Sequence, residues 1–117
     1  MKKIASTERR AFLKDHPPVM ERKLIASTGE EATYVPGTVL GLKNGKYELW
    51  TTQSETKGIC ILAEDVIVPA TGDVWALTYV HAAVLASELV WAEGVSATDQ
   101  KKARGDLCAA GIYASEA

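Results

Sequence analysis

Asn44-Gly45, which carries the only asparagine of this 117-residue chain, constrains the sequence more than any other pair. Both residues tolerate positive φ, and a two-residue type I′ turn needs that at both central positions to match the twist of paired strands. The flanking runs alternate. Thr38, Leu40 and Leu42 fall on one face before the turn, and Tyr47, Leu49 and Thr51 alternate with Lys46, Glu48 and Trp50 after it. A β-hairpin is therefore predicted. Gly58 opens a third run, Ile59-Cys60-Ile61-Leu62, which is apolar on both sides and is expected to lie buried in a sheet or barrel.

Further strands follow. Val66-Ile67-Val68 stops at Pro69, which has no amide to donate and so belongs at a strand end or edge, and Ala70 to Asp73 supplies a loop. Val74 to Val80 reads as a strand with Val74, Ala76, Thr78 and Val80 on one face and Trp75, Leu77 and Tyr79 on the other. Both faces need cover, which closing the sheet or packing against a neighbouring subunit would supply. Val84 to Val90 mixes helix and strand formers and reads as a strand or bend entering a short helical turn, closed by Trp91. The last element is a helix capped by Ser96, with Asp99 in its first turn and Gly111 after its end. Gln100, Ala103, Leu107 and Ala110 recur at helical spacing, leaving Lys101, Lys102, Arg104 and Asp106 towards water. Ile112-Tyr113 is expected to add a final strand.

Residues 1–33 have a different character. They are polar, carry charges of both signs and are broken by Pro17-Pro18, so they cannot bury enough apolar surface to offset the entropy of ordering them. A mobile arm is expected there, ahead of a compact domain over residues 34–117. Within the arm, a short helix is predicted over Thr7 to Lys14, and Glu21 to Ser27 reads as a strand waiting for a partner. Such arms bind by adding themselves to an exposed sheet edge.

Length and charge set further bounds. A chain of this size suits one domain that buries about two-thirds of its unfolded surface. With 13 basic and 15 acidic residues and a formal net charge of -2, it has no global electrostatic drive towards nucleic acid. Cys60 and Cys108 lie far apart in apolar company and read as buried reduced thiols. Charged residues interrupt any signal-peptide core near Met1. The apolar run Val74 to Ala92 contains His81, Ser87 and Glu88 and reads as soluble core, not a membrane span. Catalytic signals are thin: there is no phosphate loop, no triad order and no histidine pair at metal spacing. His81 and His16 read as ordinary histidines. Glu64 and Asp65 point to opposite faces of a strand and cannot share a substrate, so they are expected to turn the chain or meet a basic group across a subunit contact.

Pro36-Gly37-Thr38-Val39-Leu40-Gly41, Asn44-Gly45-Lys46-Tyr47, Gly58 and Ile61 to Val66 occur in an order that resembles the lambda-type phage head decoration protein family (capsid-stabilising protein D). The likeness continues in Glu88 to Trp91, Ser96 to Lys102 and Leu107 to Ile112, and spans Phe12 to Ile112. It implies a mostly β fold, a small barrel or sandwich of β-clip or β-tulip type, with one C-terminal helix and a flexible N-terminal arm. It also implies a non-enzymatic role without cofactor or metal. Made in the bacterial host cytoplasm, the protein would bind as a homotrimer to the outer surface of the expanded capsid at threefold positions and stabilise the virion against DNA pressure. Its partner would be the major capsid protein, with no nucleic acid and no membrane. The docking strip becomes Phe12 to Ala26, with Phe12, Leu13, Val19, Met20, Leu24 and Ile25 as candidate contacts. Leu89 and Trp91, with Glu64 and Asp65, become candidates for the trimer interface. Family members often place proline after this tryptophan, whereas Ala92 follows here, so any peptide geometry tied to that proline does not carry over. Two alternatives stay open on the residues: a small β-barrel enzyme or ligand-binding module with a pocket around His81, Glu64 and Tyr79, and a cellular adaptor that binds by strand addition.

Overall fold

The structure, a computed structural model, describes residues 18–116. Among them run eight strands: β1 (Val19–Ile25), β2 (Ala32–Tyr34), β3 (Val39–Lys43), β4 (Lys46–Leu49), β5 (Cys60–Leu62), β6 (Val66–Val68), β7 (Val74–Leu85) and β8 (Ile112–Ser115). A 3-10 turn, Ala86–Glu88, follows β7, and the helix α1 (Ala97–Ala110) precedes β8. The predicted short helix over Thr7 to Lys14 lies outside the described residues.

The hairpin forms as predicted. Asn44 and Gly45 sit at φ of 54° and 82°, and Lys43 faces Lys46 across the turn. β5 pairs with the other edge of β3, and β7 pairs with β5. β7 also pairs with β1, and β1 meets β4 at Ile25 and Tyr47, so five strands close into a small barrel. The seam is held by the Ala26 N–H, which donates to the Tyr47 carbonyl at 2.8 Å. β2 and β6 form a separate two-stranded sheet, and β8 runs parallel to the far end of β7. The buried core joins barrel residues Ile25, Leu40, Ile61 and Ala76 to Leu107 of α1 and Ile112 of β8.

The Pro36 to Gly41 motif is a backbone junction. Gly37 N–H donates to Leu62 O at 2.9 Å, Val90 N–H to Gly37 O at 2.8 Å, and Val39 N–H to Val90 O at 3.0 Å. Three distant segments are thus tied together through main chain alone. Gly37 has φ of 97°, and a Cβ there would sit 2.6 Å from the Glu88 carbonyl oxygen. Gly37→Ala is therefore expected to cost on the order of 1–3 kcal/mol in backbone strain, before the Glu88 carbonyl is displaced. Urea denaturation checks this: the midpoint should fall.

α1 starts where Ser96 Oγ accepts the Asp99 N–H at 3.1 Å and ends at Gly111, whose φ is 105°. Ala103 and Leu107 are buried, and Lys101 and Lys102 face water. Gly105, inside the helix, costs roughly 1 kcal/mol relative to alanine. No atom within 4 Å would obstruct a Cβ there.

Several expectations change. The boundary after residue 33 has no counterpart in these elements, because β1 and β2 both belong to the folded body. Glu21 to Ile25 does form a strand, but β7 of the same chain is its partner. Trp50, which alternation sets with Lys46 and Glu48, is only 2% exposed: β4 stops at Leu49 and the Trp50 N–H bonds to Val39 O at 3.0 Å. Cys60 is a buried free thiol as expected, whereas Cys108 is free but exposed on α1. The apolar run Val74 to Ala92 is mainly strand β7, and no helix of the described residues is long and apolar enough to cross a membrane.

Candidate functional site

A strand within a barrel can leave only its outer side chains, and any unpaired edge, for a partner. The β1–β7 ladder leaves both. Leu77 O accepts the Ala63 N–H at 2.9 Å and Leu77 N–H donates to Glu64 Oε2 at 2.7 Å, so Leu77 turns its main chain towards the β5 side. By alternation, Val74, Ala76 and Thr78 turn theirs towards β1, where they face Ile25, Lys23 and Glu21. Met20 and Arg22 consequently direct their N–H and C=O groups away from β7. Among the described residues β4 meets β1 only at Ile25, so the β1 edge from Val19 to Lys23 carries no further ladder.

The side chains sort the same way. Ala76, Thr78 and Ile25 are fully buried inside. Outside, Met20, Arg22 and Leu24 lie opposite Tyr79, Leu77 and Trp75. Trp75 is 63% exposed and Met20 46%. Sheet closure therefore covers one face of β7 and leaves an aromatic-led stripe on the other. Ile67 of β6 is a further exposed apolar residue, at 61%.

Charges frame this surface. Arg22 approaches Glu64 Oε2 at 4.0 Å, a long contact between exposed groups that contributes little. Lys23 pairs with Glu21 at 2.8 Å and lies over the Tyr47 ring, 5.6 Å from its centre. The hydrogen bond to Glu21 raises the Lys23 ammonium above the usual lysine range, and the same bond holds the Glu21 carboxyl below the usual carboxylate range. Beneath them burial pushes the Cys60 thiol up to about 12, so it stays protonated and unreactive. Among the described residues no three His, Cys, Asp or Glu side chains gather to hold a metal.

The structure separates the predicted site residues. Phe12 and Leu13 lie outside the described residues. Val19, Met20 and Leu24 lie in β1 with surface exposed or half exposed, whereas Ile25 is fully buried and cannot reach a partner. Glu64 serves its own chain through Leu77, and Asp65 is exposed. Trp91 stands edge-on to Trp50, ring centres 6.1 Å apart, and with Leu89 packs on the protomer's own core. His81, Glu64 and Tyr79 lie near β7 in three different settings. Glu64 bonds to Leu77, Tyr79 packs on the core, and the His81 ring fills the space where a Gly111 Cβ would be, 2.5 Å from Cε1. Sequence reasoning missed Trp75, Leu77 and Arg22 as one surface. Trp75 and Leu77 already shared a predicted strand face, but the register that adds Arg22 comes from the fold.

A family model described as Bacteriophage lambda head decoration protein D matches residues 6–112, nearly the whole chain. No curated protein matches it.

Proposed function

We propose, from the premise that this chain belongs to the bacteriophage lambda head decoration protein D family, how it carries out the capsid decoration that membership assigns it. The family match carries this reading. The protein acts without catalysis, as a homotrimer on the outer surface of the expanded head, bound to the coat protein at threefold positions. A threefold ring suits a threefold lattice position because each copy offers the same surface to an equivalent coat subunit. Three weak attachments on one rigid body raise effective concentration, so the trimer binds far more tightly than a single contact. A ligand that binds only the intact expanded shell shifts the equilibrium away from rupture under packaged DNA.

Each attachment centres on β1. A coat segment adds to its open edge by main-chain hydrogen bonds, and the Met20, Leu24 and Trp75 stripe supplies apolar contact beside it. Val19, Met20 and Leu24 stay in the contact set, and Phe12 and Leu13 extend it towards the N-terminus. Ile25 leaves it. The stripe, shared by β1 and β7, and the β1 edge left without a ladder among the described residues support this reading because they adjoin along β1.

The test is co-sedimentation with expanded and unexpanded heads. Saturable binding to expanded heads alone is expected, with decorated heads surviving heat that ruptures bare ones. Absence of binding to expanded heads at micromolar protein would overturn the reading.

A further inference from the structure

The hairpin tip places a side-chain amide next to a main-chain nitrogen that no side chain shields. Asn44 is exposed, and nothing lies within 4 Å of where a Cβ on Gly45 would sit. Lys43 and Lys46 form the pair that closes the turn, so the Gly45 N–H falls inside the two-residue loop and outside the ladder.

The closed turn keeps the two groups apart. A type I′ turn sets its first central residue near φ and ψ of about 60° and 30°, and Asn44 has φ of 54°. At that ψ the Gly45 nitrogen lies nearly opposite the Asn44 Cβ across the Cα–C bond, whereas a ring joining it to Cγ needs the two side by side. The turn must therefore open first. Three observations make opening easy: residues 43–46 are all exposed, Gly45 packs on nothing, and the closing pair sets one lysine directly across from another. Like charges at such a position destabilise the pairing, although Asp73 draws the Lys46 ammonium aside at 2.7 Å and offsets part of the repulsion. Exposed segments with few contacts open locally at low cost.

We propose that Asn44 is a self-modification site, paced by opening of this turn. Hydroxide removes the Gly45 N–H proton, and the nitrogen attacks Cγ of Asn44. The bond from Cγ to the side-chain nitrogen breaks, and ammonia leaves with a proton from water, which regenerates the hydroxide. Water then opens the five-membered imide at either carbonyl, so one water is consumed, one ammonia is released and nothing is oxidised or reduced. The residue becomes aspartate, which still suits the turn, or isoaspartate, which inserts a carbon into the main chain. A hairpin's register is fixed by its loop length, so the isoaspartate form cannot restore the Lys43–Lys46 pair, and the change is one-way.

The sequence makes the test clean. Asn44 is the only asparagine, and no aspartate precedes a glycine, so an added negative charge on ion exchange and isoaspartate detected by enzymatic carboxyl methylation both report position 44. The full chain is aged at mildly alkaline pH, folded and in unfolding urea. Product is expected in both, more slowly in the folded chain, and absent from Asn44→Gln, which would have to close a slower six-membered ring. Lys43→Glu, at an exposed position, makes the closing pair attractive; it should slow the folded reaction about threefold and leave the rate in urea unchanged. The isoaspartate fraction should show a lower urea midpoint than the unaged chain. A folded chain without product when the urea sample has fully converted would overturn the inference, as would the same product from Asn44→Gln. Equal folded rates for Lys43→Glu and wild type would overturn pacing by the turn.

Discussion

Replacing Trp50 by alanine is expected to cost about 3–5 kcal/mol, the range for removing a buried indole, and so to consume a large part of the stability of a domain this size. The residue is 2% exposed and stands edge-on to Trp91, its ring at 81° to its neighbour's. Such an arrangement adds about 0.5–1.5 kcal/mol beyond buried area. The outcome is read as a lower urea midpoint with an unchanged slope, at fixed protein concentration because assembly would contribute. Trp91→Ala should also destabilise the single protomer, and a double-mutant cycle with Trp50 should return a coupling of that same 0.5–1.5 kcal/mol. No measurable coupling would mean that Trp91 packs elsewhere. On the trimer-contact reading alone, Trp91→Ala would loosen assembly and leave the fold intact; contact with Trp50 predicts that both suffer.

Much of the fold was legible because its signals are local. Asn44-Gly45 fixes a hairpin through the φ values it permits, and the turn forms with positive φ at both residues. Ser96 and Gly111 bracket α1 for equally local reasons. The strand at Ile59 to Leu62 announces itself by being apolar on both faces. The 3-10 turn after Leu85 lies where helix formers interrupt a strand. Alternation alone does not show that Trp50 is buried, because it holds only while a strand stays straight and the chain leaves β4 at Leu49. Cys108 was misplaced because Leu107 and Ala109 beside it look like core, although only Leu107 points inward from the helix.

The candidate site was less legible, for a different reason. β1 reads Val-Met-Glu-Arg-Lys-Leu-Ile, and its charged centre suggests a leader without a home. Nothing local in that stretch reveals that β7, some fifty residues on, has an unpaired edge waiting for it. Once the register is set, Glu21 and Lys23 bond to each other beside Tyr47 while Ile25 closes the barrel against Tyr47. The same register brings Arg22 to Glu64 and lines up Met20, Leu24, Trp75 and Leu77, a grouping that no spacing rule within one segment can produce. Periodicity identifies faces; long-range pairing decides which faces share a surface.

That pairing makes proline a selective probe of the open edge. Arg22 directs its N–H away from β7, whereas Glu21 directs its own towards β7 and its carbonyl also accepts the Thr78 hydroxyl at 2.9 Å. Proline lacks an N–H, and its ring occupies the donor's place, so it is tolerated on a free edge and disruptive within a ladder. Arg22→Pro is therefore expected to fold with near wild-type urea stability and to lose well over about tenfold in affinity for expanded heads. In the proposed trimer the loss would be amplified, since three equivalent attachments would weaken together. Glu21→Pro should instead lose stability through its broken bond to β7, about 3 kcal/mol if the cost matches that of an interior helix proline. Arg22→Ala separates main chain from side chain: its ion pair with Glu64 is long and exposed, so binding should change little. If Arg22→Pro decorates heads like the wild type, no strand adds to this edge. If Arg22→Ala weakens binding as much as Arg22→Pro, the guanidinium and not the strand edge makes the contact.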